Sequence, residues 1–373
     1  MPLGRLSPSE LVLATARAYS SLPVVGRHLE PFAGLTAMAL WGGHYAPASI
    51  RAAVARRTSA SVASVASVAS VEVASPAAGT GNRVPPFARA SAQRRRCLHR
   101  SAIRYGDHPA QLLDVWRRPD LPPGAPVLLF VPGGAWVQGT RVLQGHSLLA
   151  HLVRRGWVCL TMDYRVSPVH RWPRHIADVN AAIAWARANV DRYGGDRDFV
   201  AIAGCSAGGH LAALAGLTPG DPAFRGDLSV DADTSVDAVV GIYGRYDWQD
   251  RSTPTRKNFM RFLERVVVRD SQNRHPELFE AASPMARIHA DAPPFLLLHG
   301  ELDSIIPVDE ARQFHTALAA TSRQRVEYSE LPRAGHAFDL VDSSHARRCA
   351  VETSRFLTEV REAQLSRRAV AAG

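Results

Sequence analysis

Ser206 is the residue best placed to do chemistry. It sits in Gly204-Cys205-Ser206-Ala207-Gly208, after the apolar run Phe199–Ala203 and before an Ala/Leu-rich run ending at Leu217. A serine between a strand and a helix is held on a sharp, strained turn with its hydroxyl presented outward, and small residues two positions either side let the backbones approach. The alternative is a glycine-rich turn with an incidental serine, and the flanking strand and helix signals argue against it. A serine hydroxyl is a weak nucleophile until a base takes its proton and a carboxylate orients that base. The chemistry expected is acyl transfer to Ser206, followed by release of the acyl group to water.

The partners are sought downstream, in the order serine, acid, histidine. Asp303 follows the apolar run Phe295–His299 in Gly300-Glu301-Leu302-Asp303, and His336 follows Arg325–Leu331 in Pro332-Arg333-Ala334-Gly335-His336. Each would stand in a loop at a strand end. Glu301 and, more remotely, Asp339 compete for the acid role, and a plain loop histidine is the bland reading of His336. His299 lies inside its strand end and reads as a hydrogen-bonded structural residue. The oxyanion of a tetrahedral intermediate needs preorganised donors. The backbone N–H of Ala207 is one candidate. Gly133 and Gly134, in Pro132-Gly133-Gly134-Ala135-Trp136 after Val127–Val131, are the others, an ordinary Gly-Gly loop being the alternative.

These residues need a scaffold. Strand-like runs at Cys97–Tyr105 and Gln111–Arg118 precede apolar runs at Val127–Val131, Val158–Tyr164, Phe199–Gly204, Ala238–Tyr243, Phe295–His299 and Arg325–Leu331. Helical stretches near Leu143–Arg155, Arg174–Tyr193, Ala207–Leu217, Asp309–Ala319 and Ala346–Glu362 alternate with them. Fully apolar strands separated by helices predict an α/β fold with a mostly parallel sheet covered on both faces. Ligands in such sheets bind beyond the carboxyl ends of the strands, where every motif above falls.

The N-terminal quarter has a different texture. Ser7-Pro8-Ser9-Glu10 has the pattern of a helix start, a second short helix is expected from Pro31, and Ser-Val-Ala triplets run from Ser61 to Ser70. The organisation expected is a basic helical extension over 1–60, a low-complexity linker over 61–93, and a catalytic domain over 94–373 with a cap insertion near 245–287. Charge follows the same division. Residues 1–100 carry twelve arginines against three glutamates, a net of +9, which leaves +1 for the rest. Such asymmetry points to an anionic membrane surface as a peripheral partner, unless it only reflects a chain that uses arginine as its cation, for Lys257 is the single lysine. No apolar run approaches the ~20 residues of a membrane span. Glu10 breaks the N-terminal apolar stretch, so no cleavable signal is expected and the cytoplasm is the default location. The four cysteines show neither CxxC nor zinc spacing and read as free thiols. No metal, cofactor or nucleic-acid motif emerges, and the glycines at 133–134 and 208–209 do not form a dinucleotide fingerprint.

Taken in order, these motifs resemble the hormone-sensitive-lipase-like and feruloyl-esterase-like carboxylesterases of the α/β-hydrolase superfamily, over roughly Arg94 to Leu357. PGGAW (132–136) resembles the family's HGGG-W loop, and DYRVSP (163–168) its DYRL-P turn. GCSAGGH (204–210), HGELDSIIP (299–307) and GHAF (335–338) resemble its nucleophile, acid and histidine segments. The arginine-rich chain and YGDHPAQLLDVWRRP (105–119) look like actinobacterial, particularly mycobacterial, lipases and esterases. The resemblance implies a serine carboxylesterase acting on short-to-medium-chain esters through an acyl-enzyme. Within enzymes the alternatives are a lipase on longer acylglycerols or an arylformamidase-like amidase. Outside them stands a non-catalytic ligand-binding protein on the same scaffold. Trp136, Phe259 and Phe262 would line the acyl pocket, ordinary packing being the alternative for the phenylalanines. Three departures stand out: Pro132 replaces a histidine whose side chain usually braces the oxyanion loop, Ala135 replaces a third glycine, and Cys205 stands where relatives often carry Asp, Glu or His.

Overall fold

The computed structural model describes residues 86–372. The chain divides at Pro85/Pro86 into two units, and the described residues belong to the second. The basic extension over 1–60, with the helices expected near 7–22 and from 31, and the triplet tract lie outside the described residues. The second unit opens with α1 (Pro86–Cys97). That helix covers residues 86–93, which the sequence assigned to the linker, and Arg89 on it pairs with Asp342 at 3.0 Å.

Eight strands form one sheet in the order β1-β2-β4-β3-β5-β6-β7-β8. They are β1 (Leu98–Arg104), β2 (Leu112–Trp116), β3 (Ala125–Val131), β4 (Val158–Met162), β5 (Gly195–Cys205), β6 (Ala238–Ile242), β7 (Phe295–Gly300) and β8 (Val326–Leu331). β1 pairs antiparallel with β2, and β2 antiparallel with β4; the remaining pairings are parallel. β3, β4, β6 and β7 are buried along their whole lengths. That is why their sequences are continuous apolar runs rather than alternations.

Helices cover both faces. These are α2 (His146–Arg154), α3 (Arg174–Asn189), α4 (Ala207–Leu217), α5 (Pro254–Phe262), α6 (Pro276–Ala281), α7 (Val308–Thr321) and α8 (Ser344–Ala372). Alternate sheet residues Leu128, Phe130, Ala201, Ala203, Val240, Ile242, Leu296 and Leu298 share one core with Leu149, Leu152 and Val153 of α2 and Phe356 and Leu357 of α8, as a two-residue strand period requires. α3 and α4 pack together and against β5. In α8 the buried positions Ala346, Cys349, Ala350, Thr353, Leu357 and Val360 recur at helical spacing. The helix runs ten residues past the expected Glu362. There the apolar period that revealed it stops, while Arg368 still reaches the Asp198 carbonyl at 3.0 Å.

Between β6 and β7 the chain leaves the sheet as α5, a π-turn stretch (Leu263–Val268) and α6, within the stretch where a cap was expected. Thr253 caps α5 by accepting the Arg256 N–H at 3.2 Å, with Pro254 in the first helical turn, a placement both residue types favour. A buried ionic cluster fastens this excursion to the start of α7. Arg245 pairs with Glu310, and Arg256 reaches both Asp250 and Asp309 at 2.5 Å. Bidentate-capable guanidinium groups suit such a desolvated site better than ammonium groups would.

Candidate active site

The parallel register brings the chemistry together. Val131 at the end of β3 lies beside Gly204 of β5, and Gly204 lies beside Gly241 of β6. The Pro132–Trp136 loop therefore leaves the sheet next to the strand that leads into Ser206. Ser206 follows β5 with φ 55° and ψ −118°, a backbone conformation that costs a non-glycine residue on the order of 1–3 kcal/mol and persists only where the surroundings impose it. The surroundings here are dense. A Cβ on Gly204 would lie 2.1 Å from the Gly208 carbonyl oxygen, and one on Gly208 would lie 2.1 Å from that of Val131. Both glycines of the motif are therefore steric necessities. The Ser206 N–H donates to the Ile242 carbonyl at 2.9 Å, which ties the turn to β6.

His336 bridges the other two residues. Its Nε2 is 2.9 Å from Ser206 Oγ and its Nδ1 is 2.6 Å from Asp303 Oδ2. The acceptor-only carboxylate assigns the proton to Nδ1 and leaves Nε2 free to accept from the serine hydroxyl. Asp303 Oδ1 accepts the backbone N–H groups of Ile305 and Ile306, each at 2.9 Å. Burial alone would favour the neutral acid. Hydrogen bonds from His299 and His336 and the backbone N–H of Ile306 outweigh it and hold the carboxyl well below the ordinary carboxylate range. Asp303 thus keeps its negative charge at neutral pH.

The competing residues have other duties. Glu301 is exposed and accepts the Arg333 N–H at 2.9 Å. Asp339 is buried behind the site, accepts the Tyr243 hydroxyl and the Gly145 N–H, and lies 3.3 Å from Cys205 Sγ. His299 Nε2 faces the Ile306 carbonyl at 2.9 Å and Asp303 Oδ2 at 3.3 Å. It is structural, as its place in the strand implied, but it also holds the acid, a role that its spacing four residues before Asp303 signals only in retrospect. Cys205 is core, and burial followed by the charge of Asp339 pushes its thiol well above the usual range.

Two sequence expectations need correction. The Gly133 N–H already donates to Gln144 Oε1 at 2.6 Å, so it is not a free donor. Ala207 is different: it opens α4, where an N–H has no acceptor within the helix. Gly134 follows with φ +130°, the sort of conformation that glycine adopts at little steric cost. Ala135 and Trp136 also have positive φ, which gives the loop an unusual concentration of strained backbone. The second correction is Trp136. At 1% exposure it does not line an open pocket; its indole N–H donates to His210 Nδ1 at 3.3 Å, and its ring meets Trp248 edge-on at 4.9 Å. The reason is the neighbouring aromatic cluster of Trp172, His210 and Trp248, which offers an indole more contact area than a solvent-facing wall. Phe262 is also buried. Phe259 is half-buried, beneath the Arg245 guanidinium at 4.9 Å from its ring centroid. Tyr243, which the sequence reading passed over, packs on the His336 imidazole at 4.7 Å.

Among the described residues no cluster of three or more His, Cys, Asp or Glu side chains could hold a metal ion, and no helix is long and apolar enough to cross a membrane.

Comparison with known proteins agrees with this fold. The BD-FAE family model matches residues 113–318. Esterase LipC of Mycobacterium tuberculosis is 52% identical over 95% of this chain and 92% of its own length. A probable carboxylic ester hydrolase of the same organism, LipM, is 45% identical over 76% of this chain and 67% of its own. Among solved structures, a thermophilic esterase from Thermogutta terrifontis superposes with a TM-score of 0.59 at 23% identity, covering 69% of this chain and 91% of that one. That likeness speaks to the fold. Sheet topology, matched family and sequence relatives agree: the chain belongs to the BD-FAE family of α/β-hydrolase carboxylesterases.

Proposed function

We propose that this carboxylic ester hydrolase works through Ser206, His336 and Asp303 on short-to-medium-chain esters. The observation that carries the proposal is His336 lying within hydrogen-bond reach of Ser206 Oγ and Asp303 Oδ2 at once. Ser206 Oγ attacks the ester carbonyl while His336 Nε2 takes the hydroxyl proton, and the carbonyl π electrons move to oxygen. The Ala207 and Gly134 N–H groups receive that oxyanion. Collapse of the intermediate breaks the bond to the alkoxy oxygen, which leaves with the proton held by His336. Water then attacks the acyl-enzyme by the same route, with His336 as base, and frees the acid. Asp303 keeps the imidazole in the required tautomer and stabilises its cation.

The chain-length reading is supported by the aromatic packing beside the Pro132–Trp136 loop, where Trp136 meets Trp248 and Phe259; on this proposal that packing limits the length of the acyl site. The test is kcat/KM for p-nitrophenyl acetate, butyrate, octanoate and palmitate, with N-formylkynurenine alongside. A maximum at or before octanoate is expected. A maximum at palmitate would move the enzyme to the lipases, and turnover of N-formylkynurenine alone would overturn the esterase reading.

The same proposal places the enzyme in the cytoplasm with a peripheral hold on anionic membrane through residues 1–100, on the strength of their net charge of +9. Sedimentation with vesicles containing phosphatidylserine should weaken on deletion of residues 1–85, which carry seven of the twelve arginines, and be lost on raising salt, since such attraction is screened within a Debye length. Full-length protein that ignores these vesicles at low salt would rule the idea out.

A further inference from the structure

The oxyanion loop is held from several sides: the Val137 and Gln138 N–H groups donate to the Gly134 carbonyl, the Tyr164 hydroxyl to that of Pro132 and the Ser167 N–H to that of Trp136. Pro132 has neither an N–H nor a polar side chain, yet the loop holds two non-glycine residues at positive φ, Ala135 at 51° and Trp136 at 58°. The Tyr164 hydroxyl holds the carbonyl side of the Pro132–Gly133 peptide. Gln144, eleven residues downstream and 6% exposed, holds the N–H side of the same peptide: its Oε1 accepts the Gly133 N–H at 2.6 Å. The donor is a backbone amide, so the side-chain oxygen, and not its NH2, must face it.

Gly133 is also pressed onto the nucleophile turn. A Cβ there would lie 2.7 Å from the Cys205 carbonyl oxygen and 3.1 Å from Ser206 Cβ. Gln144 is itself anchored. The next residue, Gly145, has φ 74°, and its N–H donates to Asp339 Oδ2 at 3.3 Å. That buried carboxylate also takes the Tyr243 hydroxyl and lies 3.3 Å from Cys205 Sγ. Asp339 stands three residues after His336, Tyr243 just past the end of β6, and Cys205 just before Ser206. A continuous set of contacts thus runs from the oxyanion loop through Gln144 and Asp339 to the loops carrying the nucleophile and the base.

We infer that Gln144 is a positioning residue for oxyanion stabilisation: by holding the Gly133 N–H it sets the adjoining peptide plane and aims the Gly134 N–H at the developing oxyanion. Consecutive peptide planes share the Gly133 Cα, and the press of that carbon onto the Cys205 carbonyl and Ser206 Cβ restricts the two dihedrals between them, so fixing the first plane orients the second. Gln144 touches no reacting atom. Its effect is felt only when negative charge appears on the substrate oxygen, and so belongs to the transition state rather than to substrate binding. The inference rests on the serine-esterase reading above and adds a residue to it.

The test is Gln144→Met, which keeps the length and removes the acceptor. With p-nitrophenyl butyrate, kcat is expected to fall about 10- to 100-fold while KM stays within about twofold, by analogy with loss of oxyanion donors. An aryl trifluoromethyl ketone, whose carbonyl carbon bonds to Ser206 Oγ and leaves an oxyanion, should bind more weakly by a similar factor. A merely structural role would lower the melting temperature or the active fraction without tying kcat to the affinity for the ketone. Wild-type kcat, or a loss of kcat with unchanged ketone affinity, overturns the inference. If the methionine variant does not fold, Gln144→Asn withdraws the amide oxygen by one methylene and is expected to show the same pattern; wild-type kcat there counts equally against it. Failure of the underlying reading would look different, since then the wild-type enzyme itself would form no adduct with the ketone.

Discussion

Ser206→Ala should lower kcat by on the order of 10⁴- to 10⁶-fold while leaving the melting temperature within a few degrees of wild type. The magnitude is that of serine hydrolases in which the nucleophile and base act as one unit. The fold is expected to survive because alanine fills most of the serine's volume and keeps the backbone N–H that ties the turn to the Ile242 carbonyl at 2.9 Å. The strain at φ 55° comes from the packing of Gly204 and Gly208 against neighbouring backbone, and that packing is unchanged by the substitution. His336→Ala should cost a similar factor, because without Nε2 at 2.9 Å the hydroxyl has no acceptor for its proton. The sharper expectation concerns the double variant. Once either residue is gone the other has nothing to do, so the double should lie within about tenfold of the worse single. Initial rates on p-nitrophenyl butyrate, measured on protein freed of wild-type contamination, check this. Losses that multiply would mean that the two residues act independently, against the bridge on which the assignment depends.

Much of this site was legible before any geometry, and for a definite reason. The nucleophile turn and the acid each follow an apolar run, readable because interior parallel strands are buried on both faces, whereas the base follows the half-buried edge strand β8, whose Val326, Tyr328 and Leu331 alternate with polar residues. Phe199–Ala203, Phe295–His299 and Arg325–Leu331 all fall within or almost wholly within observed strands, so the residues after them could be placed at the carboxyl edge of a sheet. α4 begins and ends where the sequence put it, at Ala207 and Leu217. The start of α1 was not readable, because Pro86–Cys97 is mostly polar and its place in the fold depends on a distant carboxylate, Asp342. The oxyanion loop failed for a related reason. Two adjacent glycines announce close backbone approach but not which N–H points where, and the Gly133 N–H is taken by a side chain eleven residues on. Nothing in a glutamine before a glycine marks it as an acceptor for that amide. Trp136 illustrates the opposite difficulty: a tryptophan beside a catalytic loop invites a role in binding substrate, whereas the burial of its indole follows from Trp172, His210 and Trp248, which come from three other segments of the chain.

Asp303→Asn should be nearly as damaging as loss of the base, by about 10⁴-fold in kcat at neutral pH, although it changes only an oxygen for an NH2 group. In the wild type, Asp303 Oδ1 accepts two backbone N–H groups, of Ile305 and Ile306, while Oδ2 faces His336 Nδ1 at 2.6 Å. An asparagine keeps the loop only by leaving its one oxygen toward those amides, which turns its NH2 toward the histidine. His336 must then accept at Nδ1 and carry its proton on Nε2, where it faces the serine hydroxyl as a donor and can no longer serve as base. Turning the amide round would spare the histidine and set an NH2 group against two backbone donors, so neither orientation recovers the site. Acid titration of the wild type cannot imitate this variant near neutrality. The Asp303 carboxyl is held well below its unfolded range by its hydrogen-bond donors despite burial. Its contribution to stability is therefore present above about pH 3.9 and is lost only as pH falls toward the depressed folded value. An acid limb between pH 5 and 7 must come from another group. The control is Glu301→Gln, two residues away on the same loop. Its carboxylate is exposed and engaged with the Arg333 N–H, so kcat should stay within about twofold. If Glu301→Gln instead matches the loss in Asp303→Asn, the acid has been assigned to the wrong residue.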